Sequence, residues 1–386
     1  MKILQLGKFY PIRGGVEKVM WSITLGLAER GIPCDMLCAK LPNDGPDPDH
    51  RLMAEETPEG LVISFSPENR VICVPAITKK AATMISPAMI RWMRRHAAEY
   101  DIIHIHHPDP MAALALRLSD FKGRIVLHWH SDIVAQKFLL KFYKPLQDWL
   151  IQRAKWIVGT TPVYLQNSPY LAQVQDKTVC VPIGIEPIIY DEYQVQEFRN
   201  LYPGKKIVFA LGRLVPYKGF DSLIDAAAIL PDNYVVLIGG VGPLHNTLQE
   251  QIRKQKLEKK VRLLGYIRNE DIAEMFGACS VFVMSSKMKS EAFGIVQIEA
   301  MSCARPVVAT TIPGSGVSWV NENGFSGLNV PPMNAHALAM AIQKICSNPD
   351  TYQRFSDGAL ERFATCFTSA IMIDRTIQLY AEEDYY

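Results

Sequence analysis

The chain lacks a hydrophobic run long enough to cross a bilayer, which takes about 18–20 consecutive apolar residues. Residues 1–7 turn polar too soon for a secretory signal peptide, and we expect them to form a buried first strand. None of the eight cysteines forms a C-x-x-C pair, which argues against a zinc site. Free thiols without an export signal fit a reducing cytoplasm, where we expect this protein to reside.

The chain also lacks an excess of charge of either sign. Lys and Arg total 41 and Asp and Glu total 39, giving a formal net charge of +2 over 386 residues. A dedicated nucleic-acid-binding protein would carry a strong basic excess, and a disordered acidic scaffold the opposite, so both classes are disfavoured. The apolar fraction of 48% and the length indicate a globular protein of two or three domains.

Short apolar runs alternate with longer helical patterns along nearly the whole chain. This alternation predicts an α/β protein whose parallel sheets are covered by helices on both faces. A breaker-rich stretch at 182–187 separates two such series. We therefore predict two doubly wound domains, residues 1–185 and 186–367, each with a crevice at the carboxyl ends of its strands. The predicted strands are 2–7, 34–39, 102–106, 125–130, 156–159, 179–183, 207–212, 234–239, 261–265, 281–284, 307–310 and 327–330.

Paired glycines, Gly14 and Gly15, follow the first predicted strand and begin an apolar-periodic helix. Backbone N–H groups at such a helix start can approach an anion closely, so this segment is either a phosphate contact or an ordinary tight turn. It is not a G-x-G-x-x-G motif, and no acidic residue ends the second strand. A nicotinamide-dependent dehydrogenase is therefore disfavoured.

Two cations, Arg213 and Lys218, lie in the glycine-flanked segment 212–219 that follows the first strand of the second domain. A planar guanidinium and a mobile ammonium together suit a diphosphate. The alternative is a pair of solvated loop cations.

Two carboxylates, Glu291 and Glu299, lie eight residues apart around a helix predicted to begin at about Phe293. Gly294 would let an anion approach the free N–H groups of that helix. Because a carboxylate accepts well from paired hydroxyls, Glu299 could hold a ribose and Glu291 a sugar. An ordinary surface pair is the alternative, but the apolar flanks of Glu299 favour a buried helix.

These three motifs, in this order, resemble those of the retaining glycosyltransferases of family 4, and a glycine turn at 239–243 resembles another of that family. The resemblance covers essentially the whole chain and is greatest to bacterial enzymes of O-antigen, capsule and exopolysaccharide assembly. It implies the GT-B fold, in which two doubly wound Rossmann-like domains face each other across a cleft. The first domain would be on the acceptor side and the second would bind the nucleotide sugar. A helix at about 368–386 would pack back on the first.

The same resemblance implies roles for matching residues. Glu291 would contact hydroxyls of the donor sugar, and His130 would lie near the reaction centre, which makes these two the catalytic candidates. A hydrogen-bonded histidine at a strand end is the alternative for His130, and His128 on the same strand face could share the site. The donor-binding residues would be Gly15, Arg213 and Lys218 for the diphosphate, Ile267 for the base, Phe293, Gly294 and Ile295 for sugar and phosphate, and Glu299 for the ribose.

The implied reaction transfers a hexosyl unit, with retention, from a nucleotide diphosphate sugar to a hydroxyl of a saccharide acceptor, polyprenyl-diphosphate-linked in this family's membrane-associated pathways. GDP-mannose and UDP-hexoses or UDP-N-acetylhexosamines are the candidate donors. The GT-B resemblance implies no essential metal and no cofactor. A sugar-nucleotide epimerase, a phosphorylase or a catalytically silent sugar-nucleotide-binding subunit are the alternatives.

Two stretches, residues 79–95 and 136–156, combine basic and aromatic residues. The second contains five basic residues and a single acidic one, Asp148. Such stretches suit an anionic membrane surface, with ordinary solvated helix faces as the alternative. The expected location is therefore the cytoplasm, with peripheral contact at the inner face of the cytoplasmic membrane.

Overall fold

The computed structural model describes residues 1–12, 14–45, 53–80, 83–133 and 137–381, without the side chains of residues 137–142 and Asn269. Internal contacts divide the chain into two units. Unit 1 comprises Met1–Gly184 and Ser369–Tyr386, and unit 2 comprises Ile185–Thr368. Residues 382–386 of the last predicted helix lie outside the described residues.

The strands of unit 1 form one large sheet and a small hairpin, and in chain order they are β1 (Ile3–Phe9), β2 (Cys34–Lys40), β3 (Ala54–Thr57), β4 (Gly60–Ser66), β5 (Asn69–Pro75), β6 (Thr78–Lys80), β7 (Thr83–Ile85), β8 (Ile102–His107), β9 (Arg124–Trp129), β10 (Trp156–Gly159) and β11 (Thr178–Cys180). The large sheet has the order β11-β10-β9-β8-β1-β2-β5-β4-β3, and β6 pairs with β7. Its strands are parallel from β11 to β5, whereas β4 runs antiparallel to β5 and β3.

The strands of unit 2 form one parallel sheet, and they are β12 (Lys206–Leu211), β13 (Tyr234–Gly239), β14 (Val261–Gly265), β15 (Val281–Met284), β16 (Val307–Thr310) and β17 (Gly327–Val330). The order is β14-β13-β12-β15-β16-β17. In both units the central strand has its sequence neighbour on one side and a later strand on the other, namely β1 between β2 and β8, and β12 between β13 and β15. Each unit therefore has the topological switch point at which α/β sheets bind ligands.

Helices follow most of the parallel strands, and in chain order they are α1 (Gly15–Glu29), α2 (Pro87–His96), α3 (Pro110–Leu118), α4 (Lys137–Arg153), α5 (Pro162–Gln166), α6 (Glu192–Asn200), α7 (Phe220–Ile229), α8 (His245–Lys254), α9 (Asn269–Ala278), α10 (Ile295–Ser302), α11 (Val317–Val320), α12 (Ala335–Ile345), α13 (Pro349–Cys366) and α14 (Ser369–Ala381). Within the described residues, no helix combines the length and the apolarity needed to cross a bilayer.

The last helix, α14, belongs to unit 1 and packs against α1. The contact is close at Gly26, where a Cβ atom would lie 2.5 Å from Cγ1 of Ile373. Tyr380 of the same helix is fully buried, and its hydroxyl accepts a hydrogen bond from Nε2 of Gln5 in β1 at 3.0 Å. The end of α14 is thereby held against the first strand.

The predicted α/β class is confirmed, and every predicted strand has an observed counterpart. The sequence analysis missed the meander β3-β4-β5 and the hairpin β6-β7. The central strand β4 alternates buried and partly exposed side chains because it lies near the edge of the sheet, which is the pattern of an antiparallel strand. It therefore lacks the continuous apolar run by which the parallel strands were found.

Candidate functional site

The motifs of unit 2 gather at the carboxyl edge of its sheet, on both sides of the switch point. Lys218 lies in the loop after β12, and Glu291 lies in the loop after β15. Their charged groups meet, with 2.6 Å between Nζ of Lys218 and Oε2 of Glu291. The structure thus joins two residues that the sequence analysis assigned to different parts of the donor.

This ion pair is largely shielded from water, because the two side chains keep only 13% and 11% of their exposure. The hydroxyl of Ser286 also donates to Oε2 of Glu291 at 3.1 Å. The hydroxyl of Ser315, in the loop after β16, donates to the Glu291 carbonyl at 2.5 Å. Glu291 is therefore positioned through its side chain and its backbone together.

Glycines allow the loops at this edge to pack closely. Gly219, the residue before α7, has φ +68°, and a Cβ atom there would lie 2.0 Å from the carbonyl oxygen of Ser285. Gly240, after β13, has φ +131°, and its Cβ would lie 1.9 Å from the carbonyl oxygen of Gly212. Because any side chain would collide with backbone at both positions, these glycines fix the spacing between neighbouring loops.

Helix α10 begins at Ile295, two residues later than predicted. Gly294 precedes it in the left-handed conformation, with φ +79° and ψ 69°, and turns the chain into the helix. Phe293 is 4% exposed and packs edge-to-face on Phe367, with 5.9 Å between ring centroids. Its ring therefore belongs to the core, and only its backbone remains for the predicted ligand contact.

The other predicted residues of unit 2 differ in accessibility. Arg213 is exposed, and Glu299 is half-buried in the second turn of α10. Ile267 is 7% exposed and packs beside Gly239, where a Cβ would lie 2.3 Å from Cδ1 of Ile267. The neighbouring Tyr266 is 72% exposed. A base at this loop would therefore meet the Ile267 backbone and the Tyr266 ring.

In unit 1, Gly15 is the first residue of α1, the helix that follows the switch-point strand β1. Lys8, at the end of β1, is 8% exposed, and its backbone N–H donates to Oδ2 of Asp109 at 2.5 Å. The other Asp109 oxygen accepts from the backbone N–H groups of Met111 and Ala112 at the start of α3. Burial lowers the pKa of Lys8, against the opposing effect of the Asp109 carboxylate. These contacts tie the end of β1 to the start of α3.

His130 directly follows β9 and is 6% exposed. Its Nε2 atom lies 2.9 Å from Nδ1 of His106, and its ring stacks on His128 with 4.0 Å between centroids. Burial, reinforced by His128, holds the pKa of His130 well below its ordinary value. The pKa of His128 is lowered by burial to about 3. Both rings are therefore neutral near pH 7.

His104 and His106 complete this block of stacked rings and were missed by the sequence analysis, as were Gln5, Lys8 and Asp109. Strands β8 and β9 pair in register with His106 opposite His128. Because alternate residues of a strand share a face, two His-x-His patterns on neighbouring strands place four rings together. The repeated His-x-His pattern is the sequence signal from which this group of histidines could have been predicted.

The same rings offer a possible metal site. One ligand nitrogen from each of His104, His106 and His128 lies within 4.8 Å of the others, and all three residues are buried. Imidazole nitrogen suits zinc and other transition metals.

The basic stretches are only partly available to a membrane. Trp92 is 5% exposed and faces the core. Lys144 pairs with Asp148 at 2.5 Å, and Arg153 donates to the carbonyls of residues 121–123. The side chains of Lys137 and Lys141 lie outside the described residues. In contrast, Ile77 beside the hairpin β6-β7 is 72% exposed, and Lys79 and Lys80 lie in β6.

Two family profiles match the chain in succession. The profile described as Glycosyltransferase Family 4 matches residues 13–187, and the one described as Glycosyl transferases group 1 matches residues 193–362. The O-antigen chain mannosyltransferase C of Escherichia coli is 32% identical over 386 residues, covering 98% of each chain. The D-rhamnosyltransferase WbpZ of Pseudomonas aeruginosa is 29% identical, covering 96% of this chain and 93% of its own.

Solved structures share the fold over the whole chain. Sucrose-phosphate synthase from Thermosynechococcus elongatus aligns with a TM-score of 0.78 and 23% identity, covering 98% of each chain. HepE of Anabaena, solved in complex with UDP, aligns with the same TM-score and 20% identity, covering 99% of this chain and 100% of its own. The fold and the relatives define a glycosyltransferase of the GT-B type. The chain belongs to family 4 of these enzymes, and it is a hexosyltransferase.

Proposed function

We propose that this enzyme transfers a mannosyl unit, with retention, from GDP-mannose to a hydroxyl of a lipid-linked saccharide during assembly of a cell-surface polysaccharide. The observation that carries the proposal is the shielded pair Lys218–Glu291, whose groups meet at 2.6 Å at the switch point of unit 2. An ammonium that binds phosphate and a carboxylate that accepts sugar hydroxyls are the two groups that a sugar diphosphate requires.

The choice of sugar and pathway is supported by the relatives. The one aligned at 32% identity over its full length is named an O-antigen chain mannosyltransferase, and the second is named a D-rhamnosyltransferase. UDP-hexoses and UDP-N-acetylhexosamines are the competing donors. The saccharide acceptor is linked to a polyprenyl diphosphate in this proposal.

The reaction breaks the bond between the anomeric carbon and the diphosphate oxygen, and it forms a bond from the acceptor oxygen to the same face of that carbon. The acceptor hydroxyl gives its proton to the departing phosphate, so the products are the glycoside and GDP. Lys218, Arg213 and the free N–H groups at the start of α10 stabilise the charge that grows on the leaving group. The Gly294 turn exposes those N–H groups by leaving the helix start without a side chain.

In the resting enzyme Lys218 and Glu291 neutralise each other. Donor binding would draw the Lys218 ammonium toward the diphosphate and release Glu291 to accept hydrogen bonds from the sugar. Glu299 holds the ribose, and the Ile267 backbone contacts the base, with Phe293, Gly294 and Ile295 lining the phosphate and sugar through their backbone. In unit 1, the motif resemblance assigns to Gly15 a backbone N–H contact with the diphosphate and to His130 a role near the donor sugar. These roles rest on the motif resemblance.

Transfer requires no metal in this proposal, because Lys218, Arg213 and the helix start supply the positive charge that a cation would otherwise provide. Treatment with EDTA followed by exchange into metal-free buffer should therefore leave the rate of transfer unchanged. Loss of activity that added Mg²⁺ or Mn²⁺ restores would contradict this part of the proposal.

The lipid-linked acceptor implies contact with an anionic membrane. Exposed Ile77 and the neighbouring Lys79 and Lys80 support such contact through the hairpin β6-β7 of unit 1. Sedimentation with anionic vesicles should be weakened by Ile77→Asp, whereas Ile189→Asp, at a 90% exposed position of unit 2, serves as the control. Equal binding by both variants would place the membrane contact elsewhere.

The deciding experiment incubates the enzyme with each nucleotide sugar and a synthetic polyprenyl-diphosphate saccharide. We expect GDP-mannose to support transfer, with an α-linked product identified by NMR, since the donor is α-linked. Product with inverted configuration would refute retention. Turnover of the donor into another nucleotide sugar without acceptor would indicate an epimerase, and binding without turnover a silent subunit.

A further inference from the structure

A chain of buried side chains in unit 1 runs from the last helix to His130. The hydroxyl of Tyr380 lies 2.5 Å from Nδ1 of His104 and 3.0 Å from Nε2 of Gln5. The other end of the Gln5 amide, Oε1, lies 2.8 Å from Nε2 of His106. Nδ1 of His106 then lies 2.9 Å from Nε2 of His130. All five residues are at most 6% exposed, so water does not compete for these hydrogen bonds.

The donors and acceptors along this chain determine one another. The amide Nε2 of Gln5 donates to Tyr380, so Oε1 of Gln5 must accept from His106. His106 therefore carries its proton on Nε2, which leaves its Nδ1 as an acceptor. The hydrogen bond to that Nδ1 can then be donated only by Nε2–H of His130.

We infer that Tyr380, Gln5 and His106 are positioning residues that fix His130 as its Nε2–H tautomer, with Nδ1 left as a hydrogen-bond acceptor for a hydroxyl of the substrates. The catalytic part of this inference rests on the proposed role of His130. The tautomer itself follows from the contacts within unit 1 and does not depend on that role.

The charge state of the rings agrees with this arrangement. Burial holds the pKa values of His104, His106 and His130 well below the ordinary value, and Lys8 lowers those of His106 and His130 further. Neutral imidazoles have one donor and one acceptor nitrogen each, which the chain of hydrogen bonds requires. A protonated ring would put two donors against each other at one of these contacts.

A metal ion at His104, His106 and His128 would be a competing use of the same rings. Either nitrogen of His106 would first have to leave its hydrogen bond to Gln5 or to His130. The cation would also enter a core in which the buried Lys8 already disfavours positive charge on these rings. The hydrogen-bonded chain is therefore the favoured arrangement.

The orientation of the Gln5 amide gives the inference a clear test. Rotating this amide by about 180° would exchange Nε2 and Oε1, and every donor and acceptor in the chain would then be reversed. His130 would then carry its proton on Nδ1. The two arrangements are distinguished by the ¹⁵N chemical shifts of the imidazole nitrogens in protein labelled at histidine, with His130 assigned by comparison with His130→Ala.

We expect His130 in the wild-type enzyme to show a protonated Nε2 and an unprotonated Nδ1. Gln5→Leu should produce a mixture of tautomers and lower kcat about 10- to 100-fold with little change in KM, as is typical when a partner that orients a site residue is lost. Tyr380→Phe, which removes the hydroxyl that orients the Gln5 amide and leaves Gln5 and His106 in place, should likewise produce a mixture of tautomers. His336→Phe, at an exposed position of α12 in unit 2, should leave the tautomer of His130 unchanged because it lies outside the chain of hydrogen bonds.

The remaining outcomes would contradict either the inferred tautomer or the proposed role of His130. A protonated Nδ1 in wild type, or a tautomer that Gln5→Leu does not disturb, would overturn the inference even where His130→Ala abolishes transfer. A fixed Nε2–H tautomer in an enzyme that keeps full activity after His130→Ala would instead remove His130 from the proposed site. Stoichiometric zinc in the purified protein, by elemental analysis, would replace the hydrogen-bonded chain with a metal centre.

Discussion

Lys218 and Glu291 form an ion pair of 2.6 Å that spans the switch point of unit 2, with one partner from the loop after β12 and the other from the loop after β15. The two proposed donor-binding side chains therefore also hold these two loops together. A ligand that draws the Lys218 ammonium away must replace this contact, so binding and loop position are coupled at this point.

The pair predicts a non-additive effect on stability. Lys218→Met leaves a shielded carboxylate without its cation and should lower the free energy of unfolding by about 2–4 kcal/mol. Adding Glu291→Gln should recover most of this loss, because the amide no longer needs a counter-charge. Chemical denaturation measures both, and Lys254→Met, at the exposed pair of Lys254 and Glu250 on α8, should change stability little. Additive losses in the double variant would show that the pair is not coupled.

Glu299 should govern affinity for the nucleotide. Glu299→Ala removes a carboxylate proposed to accept from the ribose hydroxyls, and the dissociation constant for GDP should rise about 10-fold. Isothermal titration calorimetry measures this, with Glu361→Ala on the exposed face of α13 as the control. An unchanged dissociation constant for Glu299→Ala would withdraw the ribose assignment.

Gly219 should be far less replaceable than another glycine of the same backbone conformation. Gly219→Ala combines φ +68° with a Cβ only 2.0 Å from the Ser285 carbonyl oxygen, and we expect a loss of more than about 2 kcal/mol. Gly204 has φ +69° and no heavy atom within 4 Å of a built Cβ, so Gly204→Ala should cost only about 1 kcal/mol. Equal losses in denaturation would mean that strain, and not the collision, limits the position.

The buried histidines predict a loss of stability in mild acid. Their pKa values are lower in the folded state than the ordinary 6.5, and that of His128 falls to about 3. The unfolded chain therefore binds protons first as the pH falls below 6.5. At pH 5 each such histidine should cost about 2 kcal/mol of stability, and the loss continues until the folded-state pKa is reached. The thermal midpoint between pH 7.5 and pH 5 measures this.

A matched variant separates the histidines from other acid-sensitive groups. His128→Phe should flatten the decline in thermal midpoint with pH, whereas His336→Phe, at an exposed position on α12, should leave its slope unchanged. The same slope in all three proteins would show that the buried rings do not set the acid sensitivity.

The sequence predicted the parts of the molecule that have a local signature. Parallel strands such as β13 and β15 are buried along their whole length and read as continuous apolar runs. The loops that follow such strands could be located as well. Lys218 comes after β12 and Glu291 after β15, so both were expected at the carboxyl ends of the strands.

The rest depends on contacts between residues that are remote in the chain. The hydrogen bond between Gln5 and Tyr380 joins residues 375 positions apart, and no sequence pattern near either residue predicts it. Trp92 beside three arginines suggested a surface patch, but α2 turns that ring into the core and leaves the basic residues outside. The i, i+3, i+4 spacing of Met89, Trp92 and Met93 does mark the buried face of α2, so that error was avoidable, whereas a partner 375 positions away leaves no trace in local spacing.

The return of α14 to unit 1 has a consequence for how the chain is made. Gln5, His104 and their neighbours emerge from the ribosome early, but Tyr380 follows only after the whole of unit 2 has been synthesised. Domains generally fold as units during synthesis, so unit 2 can fold first while unit 1 still lacks the helix that covers Gly26 and Gln5. The His130 environment is therefore completed only once α14 has been synthesised, and an enzyme truncated before α14 would contain every sugar-nucleotide motif and still have an unfinished first unit.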